Sequence, residues 1–165
     1  MDDALRAPLL RLPYHLGIAT SDLERARDQL GALLGVGWSP VRTVEGHLNT
    51  VGAYAGPTRR LHSLGGPMRM EVIEGTPASV WGTTEVAALH HYAYYSADVA
   101  SDVDGLVGAG WEVEMATVDE HGCPTVFAYL VKPGHIRVEL VDRSLHADYE
   151  AVVGVPVPMD VASPV

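Results

Sequence analysis

Cysteine is nearly absent from this chain of 165 residues, in which Cys123 is the only one. A single thiol cannot form a disulfide within the chain, so we expect a reducing, cytoplasmic environment. Long apolar runs are missing too, since no stretch approaches the roughly 18 residues that a membrane-spanning helix needs. The first residues, MDDALRAPLLRLP, lack the positive segment and apolar core of a signal peptide. We therefore expect a protein that is neither secreted nor inserted in a membrane.

Basic residues are scarce as well. Only 11 lysines and arginines stand against 21 acidic residues, which gives a formal net charge of −10. Such a surface repels phosphate backbones and anionic lipids, so we expect neither nucleic acid nor membranes as partners. The rest is an ordinary globular composition, 47% hydrophobic and 19% charged. We expect one domain over residues 1–152 and a C-terminal arm, rich in proline and valine, over residues 153–165.

The chain contains an internal repeat. His15 and His91 each begin a short strand-like run, and Asp22 and Asp98 follow seven residues later in the two copies. Both runs continue into apolar residues at helical spacing, which predicts a strand followed by a helix in each half. The sequence SDLE at residues 21–24 predicts a capping box, in which Ser21 and Glu24 satisfy free amides of the first helix.

The last strand of each half carries an arginine and, two positions later, a glutamate: Arg69 and Glu71, then Arg137 and Glu139. Two further strands fit between the helix and the last strand of each half: Trp38–Glu45 with a segment within Asn49–Ser63, and Trp111–Thr117 with Thr125–Leu130. Each half is therefore predicted as a β-α-β-β-β module, at about residues 13–75 and 86–142. The fold class that this order predicts is α+β.

The repeat gives each module a histidine on its first strand and a glutamate on its last: His15, Glu71, His91 and Glu139. Imidazole and carboxylate suit Zn²⁺, Fe²⁺, Co²⁺, Ni²⁺ or Mn²⁺, so we expect one divalent metal ion. Neighbouring side chains on a strand point to opposite faces, so His91 aligns with His15 while His90 is predicted to point away. Gly17 and Ala19 share the face of His15, which leaves space there for a substrate.

Four segments, YHLGIATSDLERA, MRMEVIEG, LHHYAYYSADV and IRVELVD, resemble the vicinal oxygen chelate superfamily over residues 13–142. That superfamily includes glyoxalase I, methylmalonyl-CoA epimerase, extradiol dioxygenases and bleomycin-resistance proteins. The resemblance implies paired βαβββ modules whose mixed sheet curls into a cup around a divalent metal. It also implies ligands on the first and last strands of each module, which map to His15, Glu71, His91 and Glu139. In the epimerase a similar double histidine has its second member as ligand, which matches His91.

The resemblance implies three functions. Extradiol dioxygenases in this superfamily use a site of two histidines and one carboxylate. Here Glu71 would add a second carboxylate, which favours a redox-neutral lyase or isomerase. In such an enzyme the metal polarises a carbonyl oxygen, and Glu71 or Glu139 moves the proton on the adjacent carbon. The alternatives are a metal-free protein that binds a bulky small molecule and, third, an extradiol-type iron dioxygenase. Members of the family usually pair, so we expect a homodimer, with the apolar segment Val153–Val157 covering a neighbour.

Two aromatic side chains are candidates for contact with a small-molecule substrate. Tyr95 shares the strand face of His91, which favours a flat or hydrophobic ligand. His121 lies in a loop before a strand and could line the mouth of the cup. The other histidines outside the repeat are interpreted as surface residues: His47, His135 and His146.

Arginine offers a second kind of substrate contact. Arg69 and Arg137 could recognise a carboxylate or a phosphate. Pairing with the glutamate two positions on, or exposure at the sheet edge, is the favoured interpretation of both. Arg59 and Arg60, with His62, are interpreted as a solvated stretch or as a rim contact for an acidic ligand, and the solvated stretch is favoured.

Overall fold

The structure is a computed structural model that describes residues 13–46, 49–66, 68–147 and 151. Within them the elements are β1 (His15–Thr20), α1 (Leu23–Leu34), β2 (Gly37–Trp38), β3 (Arg42–Val44), β4 (Thr50–Gly52), β5 (Thr58–Leu64), β6 (Arg69–Gly75), β7 (Ala88–Ser96), α2 (Val99–Gly108), β8 (Glu112–Val118), β9 (Pro124–Val131) and β10 (Arg137–Asp142). A 3-10 turn follows at Arg143–Leu145. In this part of the chain neither helix has the length and apolar character to cross a bilayer. The expectations for His47 and for the arm 153–165 lie outside the described residues.

Both helices begin after an aspartate that the repeat relates. The carboxylate of Asp22 accepts a hydrogen bond from the backbone N–H of Arg25, and that of Asp98 accepts one from Ser101, each at 3.0 Å. Each carboxylate thereby satisfies an amide that has no partner inside the helix. α1 ends at Gly35, whose φ of 66° lies in the left-handed region that glycine adopts without strain.

The expected capping box at the start of α1 is wrong by one residue. The hydroxyl of Ser21 donates to the carbonyl oxygen of Glu85 at 3.0 Å, and Glu24 pairs with Arg59. Neither side chain is therefore available to the helix amides. Asp22, with extended dihedrals directly before the first helical residue, takes the N-cap position instead.

The strands form one mixed sheet in the order β2-β5-β6-β1-β7-β10-β9-β8-β4, with β3 also paired to β5. β1 runs parallel to β6 and β7 runs parallel to β10, while β1 and β7 are antiparallel neighbours at the centre. The first and last strands of both modules therefore lie side by side. The curled sheet is not closed into a barrel, and it confirms the expected α+β fold.

The middle of the first module differs from the expected pattern. The expected strand Trp38–Glu45 is divided into β2 and β3, which both pair antiparallel with β5. Pro40 lies between them and has no N–H to donate, so the ladder is interrupted there. The segment within Asn49–Ser63 contains two strands, of which β4 pairs with β8 of the other module. β4 therefore joins the two halves of the sheet.

Apolar side chains are buried on both faces of the sheet. One cluster lies between α1 and the sheet, another between α2 and the sheet, and a third lines the inside of the cup. In α1 the expected apolar stripe is buried at Leu23 and Ala26, but Leu33 and Leu34 at its end are exposed. The third cluster is rich in aromatic residues and surrounds the site described next.

Candidate metal centre

Four buried side chains from four adjacent strands converge inside the cup. Nε2 of His15 lies 3.0 Å from Nε2 of His91, 3.5 Å from Oε2 of Glu71 and 3.3 Å from Oε2 of Glu139. Nε2 of His91 lies 3.2 Å from Oε2 of Glu139. One ligand atom from each of the four lies within 4.8 Å of the others. All four residues belong to one chain, so its two modules bring them together without a partner.

The donor set fits a divalent cation. Metal bonds of about 2.0–2.2 Å to imidazole or carboxylate place neighbouring ligand atoms about 3.0–3.5 Å apart. The four distances given above fall in that range. Carboxylate oxygens and unprotonated imidazole nitrogens are all hydrogen-bond acceptors, so a cation is the partner they can share. Oε2 of Glu139 is buried and makes no hydrogen bond within the described part of the chain.

Gly17 on β1 makes room for the ring of His91. The two residues are opposite each other in the antiparallel pair of β1 and β7. A Cβ atom at Gly17 would lie only 1.8 Å from Cε1 of His91. The space beside His15, which the sequence assigned to a substrate, is therefore occupied by this ring. The cavity described below is lined by His15, Glu71 and Glu139, and neither Gly17 nor His91 is part of its wall.

Arg60 and His62 on β5 hold the outer oxygen of Glu71. Nη1 of Arg60 donates to Oε1 of Glu71 at 3.3 Å, and Nε2 of His62 lies 3.4 Å from the same oxygen. Arg60 also donates to Thr58 at 2.9 Å, and its guanidinium lies over the ring of Trp81. Burial by itself raises the pKa of Glu71, but Arg60 and His62 outweigh it and hold that pKa well below its usual range. Glu71 is therefore a fixed anion.

The expectation of a solvated stretch at residues 59–62 is wrong for two of its three basic residues. Arg60 is largely buried and His62 fully so, whereas Arg59 lies at the surface and pairs with Glu24 and Glu74. A sequence signal was present, because Arg60 and His62 alternate along β5 as side chains on one face do. Without the limits of β5, however, the sequence alone does not show that these two residues lie within one strand.

The second carboxylate, that of Glu139, lies against the imidazoles of His15 and His91. Burial raises the pKa of Glu139, but His91 and His15 lower it to about 2, so this side chain is also an anion. The pKa of the neighbouring Tyr129 shifts in the opposite direction. Burial, reinforced by Glu139 and Glu71, raises the pKa of Tyr129 well above its usual value. The phenol therefore stays protonated on the cup wall.

The structure brings His91, and not His90, into the cluster, but His90 does not simply point away. Nδ1 of His90 lies 2.9 Å from Nδ1 of His91, and its Nε2 lies 2.9 Å from the carbonyl oxygen of Val80. Burial, together with Arg137 and His91, lowers the pKa of His90 to about 3. His90 is therefore a neutral imidazole that contacts Nδ1 of His91, the ring nitrogen that faces away from the cluster.

A cavity of about 330 Å³ opens onto the cluster. This size suits a small organic molecule. His15, Glu71 and Glu139 reach its surface, and much of the wall is aromatic. Tyr95 lies in that wall, stacked on Tyr14 with ring centroids 3.8 Å apart. His146, expected at the surface, is half-buried and lies edge-on to Tyr95, with ring centroids 5.1 Å apart.

Three other candidate substrate contacts do not line the cavity. Arg137 forms a two-point pair with Glu114, at 2.6 and 2.8 Å, instead of pairing with Glu139. Arg69 is buried at the start of β6 without reaching the cavity wall. His121 is exposed in the loop between β8 and β9.

Comparison with solved structures relates this fold to several enzymes. A methylmalonyl-CoA epimerase in complex with methylmalonyl-CoA and NH4⁺ is 20% identical, with a TM-score of 0.55, over 79% of this chain and 93% of that one. The epimerase from Mycobacterium tuberculosis is 17% identical, with a TM-score of 0.54, over 79% and 86%. A variant 4-hydroxymandelate synthase from Streptomyces coelicolor is 22% identical, with a TM-score of 0.55, over 79% of this chain but 38% of the synthase.

At these identities the likeness establishes the fold that the chain shares with its structural neighbours. A comparison with curated protein sequences gave no significant match. A family model does match, over residues 14–129, and it covers β1 to most of β9. By that match the chain belongs to the glyoxalase/bleomycin resistance protein/dioxygenase superfamily, the vicinal oxygen chelate proteins.

Proposed function

We propose that this protein is a metal-dependent enzyme, a lyase or isomerase that moves a proton on the carbon next to a carbonyl group. The observation that carries the proposal is the buried cluster of two histidines and two glutamates at the floor of an aromatic cavity. His15, Glu71, His91 and Glu139 would hold one ion of Zn²⁺, Co²⁺, Ni²⁺, Mn²⁺ or Fe²⁺. A bound ion of this kind supplies the Lewis acidity that polarises a substrate carbonyl.

The surroundings of the two carboxylates favour Glu139 as the base. The outer oxygen of Glu71 is held by Arg60 and His62. In the described part of the chain Glu139 has no ion pair outside the cluster, since its contacts are with Nε2 of His15 and of His91, and its side chain reaches the cavity surface. Glu139 is therefore the carboxylate with fewer bonds to break before it accepts a proton.

The cavity wall indicates a compact substrate with apolar or flat surface. Tyr14, Tyr95 and Phe127 contribute aromatic faces, and Val126 and Val141 add aliphatic surface. Such a wall excludes water from the reacting carbon, which protects a carbanion-like species from indiscriminate protonation. In this proposal Tyr95 contacts the substrate directly.

Proton exchange tests the proposal directly. Protein purified without chelator is first analysed for metal, and the loaded protein is then incubated in D₂O with α-hydroxy ketones, hemithioacetals and 2-substituted acyl thioesters. We expect NMR to show deuterium at the α-carbon of a true substrate.

Glu139→Gln should abolish exchange even where metal remains bound, because an amide cannot accept that proton. Glu120→Gln, on an exposed loop, is the matched control and should exchange like the wild type. Conversion without exchange, equally fast in Glu139→Gln, would refute the proposal.

A metal-free protein that binds a hydrophobic small molecule is the second candidate. The aromatic wall of the cavity favours it, because stacked rings bind flat ligands without any metal. Elemental analysis separates the two functions. A folded protein that carries no metal and takes up no added Zn²⁺, Co²⁺ or Ni²⁺ would support the binding function. An iron dioxygenase is disfavoured, since Arg60 and His62 fix Glu71 at the cluster as a second carboxylate.

A further inference from the structure

We propose that His90 is a positioning residue that fixes the tautomer of His91, so that the nitrogen of His91 that faces the cluster carries a lone pair. Three groups form the relay, namely the carbonyl of Val80, the ring of His90 and the ring of His91. The relay rests on the proposed function only at its last step, where His91 serves a metal.

The first step begins at the backbone. Nε2 of His90 lies 2.9 Å from the carbonyl oxygen of Val80. A carbonyl oxygen can only accept, so Nε2 of His90 must carry the proton and donate it to this hydrogen bond. In a neutral imidazole the other nitrogen then holds a lone pair. Nδ1 of His90 is therefore an acceptor.

The second step passes this assignment to His91. Nδ1 of His91 lies 2.9 Å from Nδ1 of His90, and one of these two nitrogens must donate. Because Nδ1 of His90 is the acceptor, Nδ1 of His91 carries the proton. Nε2 of His91 then holds the lone pair, and it is the nitrogen at 3.2 Å from Oε2 of Glu139. With this tautomer Nε2 of His91 can accept a hydrogen bond from Nε2 of His15, which lies 3.0 Å away, or hold a cation. The opposite tautomer would set two lone pairs against each other at the Nδ1 atoms of His90 and His91.

A β-bulge explains how adjacent residues of one strand can make this contact. In the pairing of β1 with β7, Gly17 is opposite His91 and Ile18 is opposite Leu89. His90 is the extra residue, without a partner on β1. A bulge turns a side chain out of the normal alternation. The ring of His90 is thereby directed to the edge of His91 instead of the far face of the sheet.

The surrounding structure holds each member of the relay in place. His90 is only 7% exposed, and its own carbonyl oxygen accepts a hydrogen bond from Nη1 of Arg137 at 3.2 Å. Arg137 is fixed in turn by its two-point pair with Glu114. The backbone N–H of Val80 donates to the carbonyl oxygen of Tyr54 at 2.8 Å. The backbone of Val80, whose carbonyl oxygen begins the relay, is therefore also held in place.

Metal-binding histidines usually donate their second N–H to a carboxylate or a backbone carbonyl, and loss of that partner lowers metal affinity by about 10–100-fold. Here a second imidazole is inserted between the ligand ring and the carbonyl. We therefore expect His90→Leu, which removes the acceptor but keeps apolar bulk, to weaken Zn²⁺ and Co²⁺ binding by about 10–100-fold. His90→Asn places an amide oxygen near the position of Nδ1 and should restore most of the affinity. His135→Ala, at an exposed histidine, is the control and should bind like the wild type.

Competition with a chromogenic chelator measures these affinities. A second measurement needs no metal: long-range ¹H–¹⁵N spectra of the metal-free, histidine-labelled protein report which ring nitrogen of His91 is protonated. We expect the Nδ1–H form in the wild type and in His90→Asn, and loss of that single form in His90→Leu.

Two results would overturn the relay. One is a wild-type His91 protonated at Nε2, which tests the idea even where His90→Leu fails to fold. The other is a folded His90→Asn protein that binds metal as weakly as folded His90→Leu, since that pattern indicates packing alone. Failure of the wild type to bind any metal would count against the proposed function, whereas the spectra of the metal-free protein would still decide the tautomer.

Discussion

The ring of His91 packs directly against Gly17 of β1. A Cβ atom at residue 17 would lie 1.8 Å from Cε1 of that ring, far inside contact distance. The backbone of β1 is held on both sides by β6 and β7, so the ring must move instead. We expect Gly17→Ala to lower the affinity for Zn²⁺ by about 10-fold or more, measured by competition with a chelator. Gly108→Ala at the end of α2 is the control, since a Cβ there meets no atom within 4 Å. Unchanged affinity in a folded Gly17→Ala protein would contradict the placement of the ring.

Two neighbouring arginines on β5 provide a second comparison. Arg60 donates to the outer oxygen of Glu71, whereas Arg59 pairs with Glu24 and Glu74 at the surface. Arg60→Gln leaves a buried carboxylate with less compensation, so we expect weaker Zn²⁺ binding and lower stability by about 1–3 kcal/mol. Arg59→Gln should cost at most about 1 kcal/mol and leave metal binding unchanged, because exposed ion pairs contribute little. Isothermal titration with Zn²⁺ and urea unfolding of both variants make the comparison, and equal effects of the two would refute this role for Arg60.

The sequence could predict which residues meet in the cluster, but only part of what supports them. A repeat relates His15 to His91 and Glu71 to Glu139, and equivalent positions of two modules face each other across the central strands. The contact of His90 with His91 is not predictable in this way, because a bulge in β7 breaks the alternation of side chains from which the prediction starts. A bulge of one extra residue depends on tertiary pairing, which one strand's own sequence does not specify.

Among the elements, the two helices have equivalent starts, and their caps can be tested separately from the site. Asp98 is exposed and caps α2 through the backbone N–H of Ser101. We expect Asp98→Ala to lower the free energy of unfolding by about 1 kcal/mol, measured by urea denaturation. Asp104→Ala, at an exposed position inside the same helix, should change it by less than about 0.5 kcal/mol. A loss in Asp104→Ala as large as that in Asp98→Ala would show that charge, and not capping, is responsible.

Strand order was predictable in the second module and less so in the first. There Gly122 marks the turn between two apolar runs, and β8 and β9 lie within one residue of their expected limits. In the first module Pro40 divides a strand, and the three residues of β4 leave their own module to pair with β8. So short a strand carries no pattern that selects its partner. The backbone groups exposed at the edge of β8 select it in the folded molecule.

At the scale of the whole molecule, the pairing of the two modules places the cluster within one chain. The antiparallel contact of β1 with β7 joins the two modules, and each contributes one histidine and one glutamate to the cluster. A metal held by these four residues would link both modules of a single chain. Association between chains could then stabilise the fold or cover apolar surface, but it would not be needed to complete the ligand set.

Oligomeric state and metal content can therefore be measured as independent quantities. We expect light scattering to give a homodimer, with twice the 17.7 kDa mass of the chain, because cups of this superfamily commonly pair. Elemental analysis of the same sample should give one metal ion per chain, because the cluster lies within one chain. Dilution that separates the chains should leave this ratio unchanged, with Zn²⁺ kept above its dissociation constant throughout. A mass of one chain would refute the dimer and leave the site intact. One ion per two chains, or loss of metal in step with dissociation, would show that the ligands are shared between chains and would overturn the single-chain cluster.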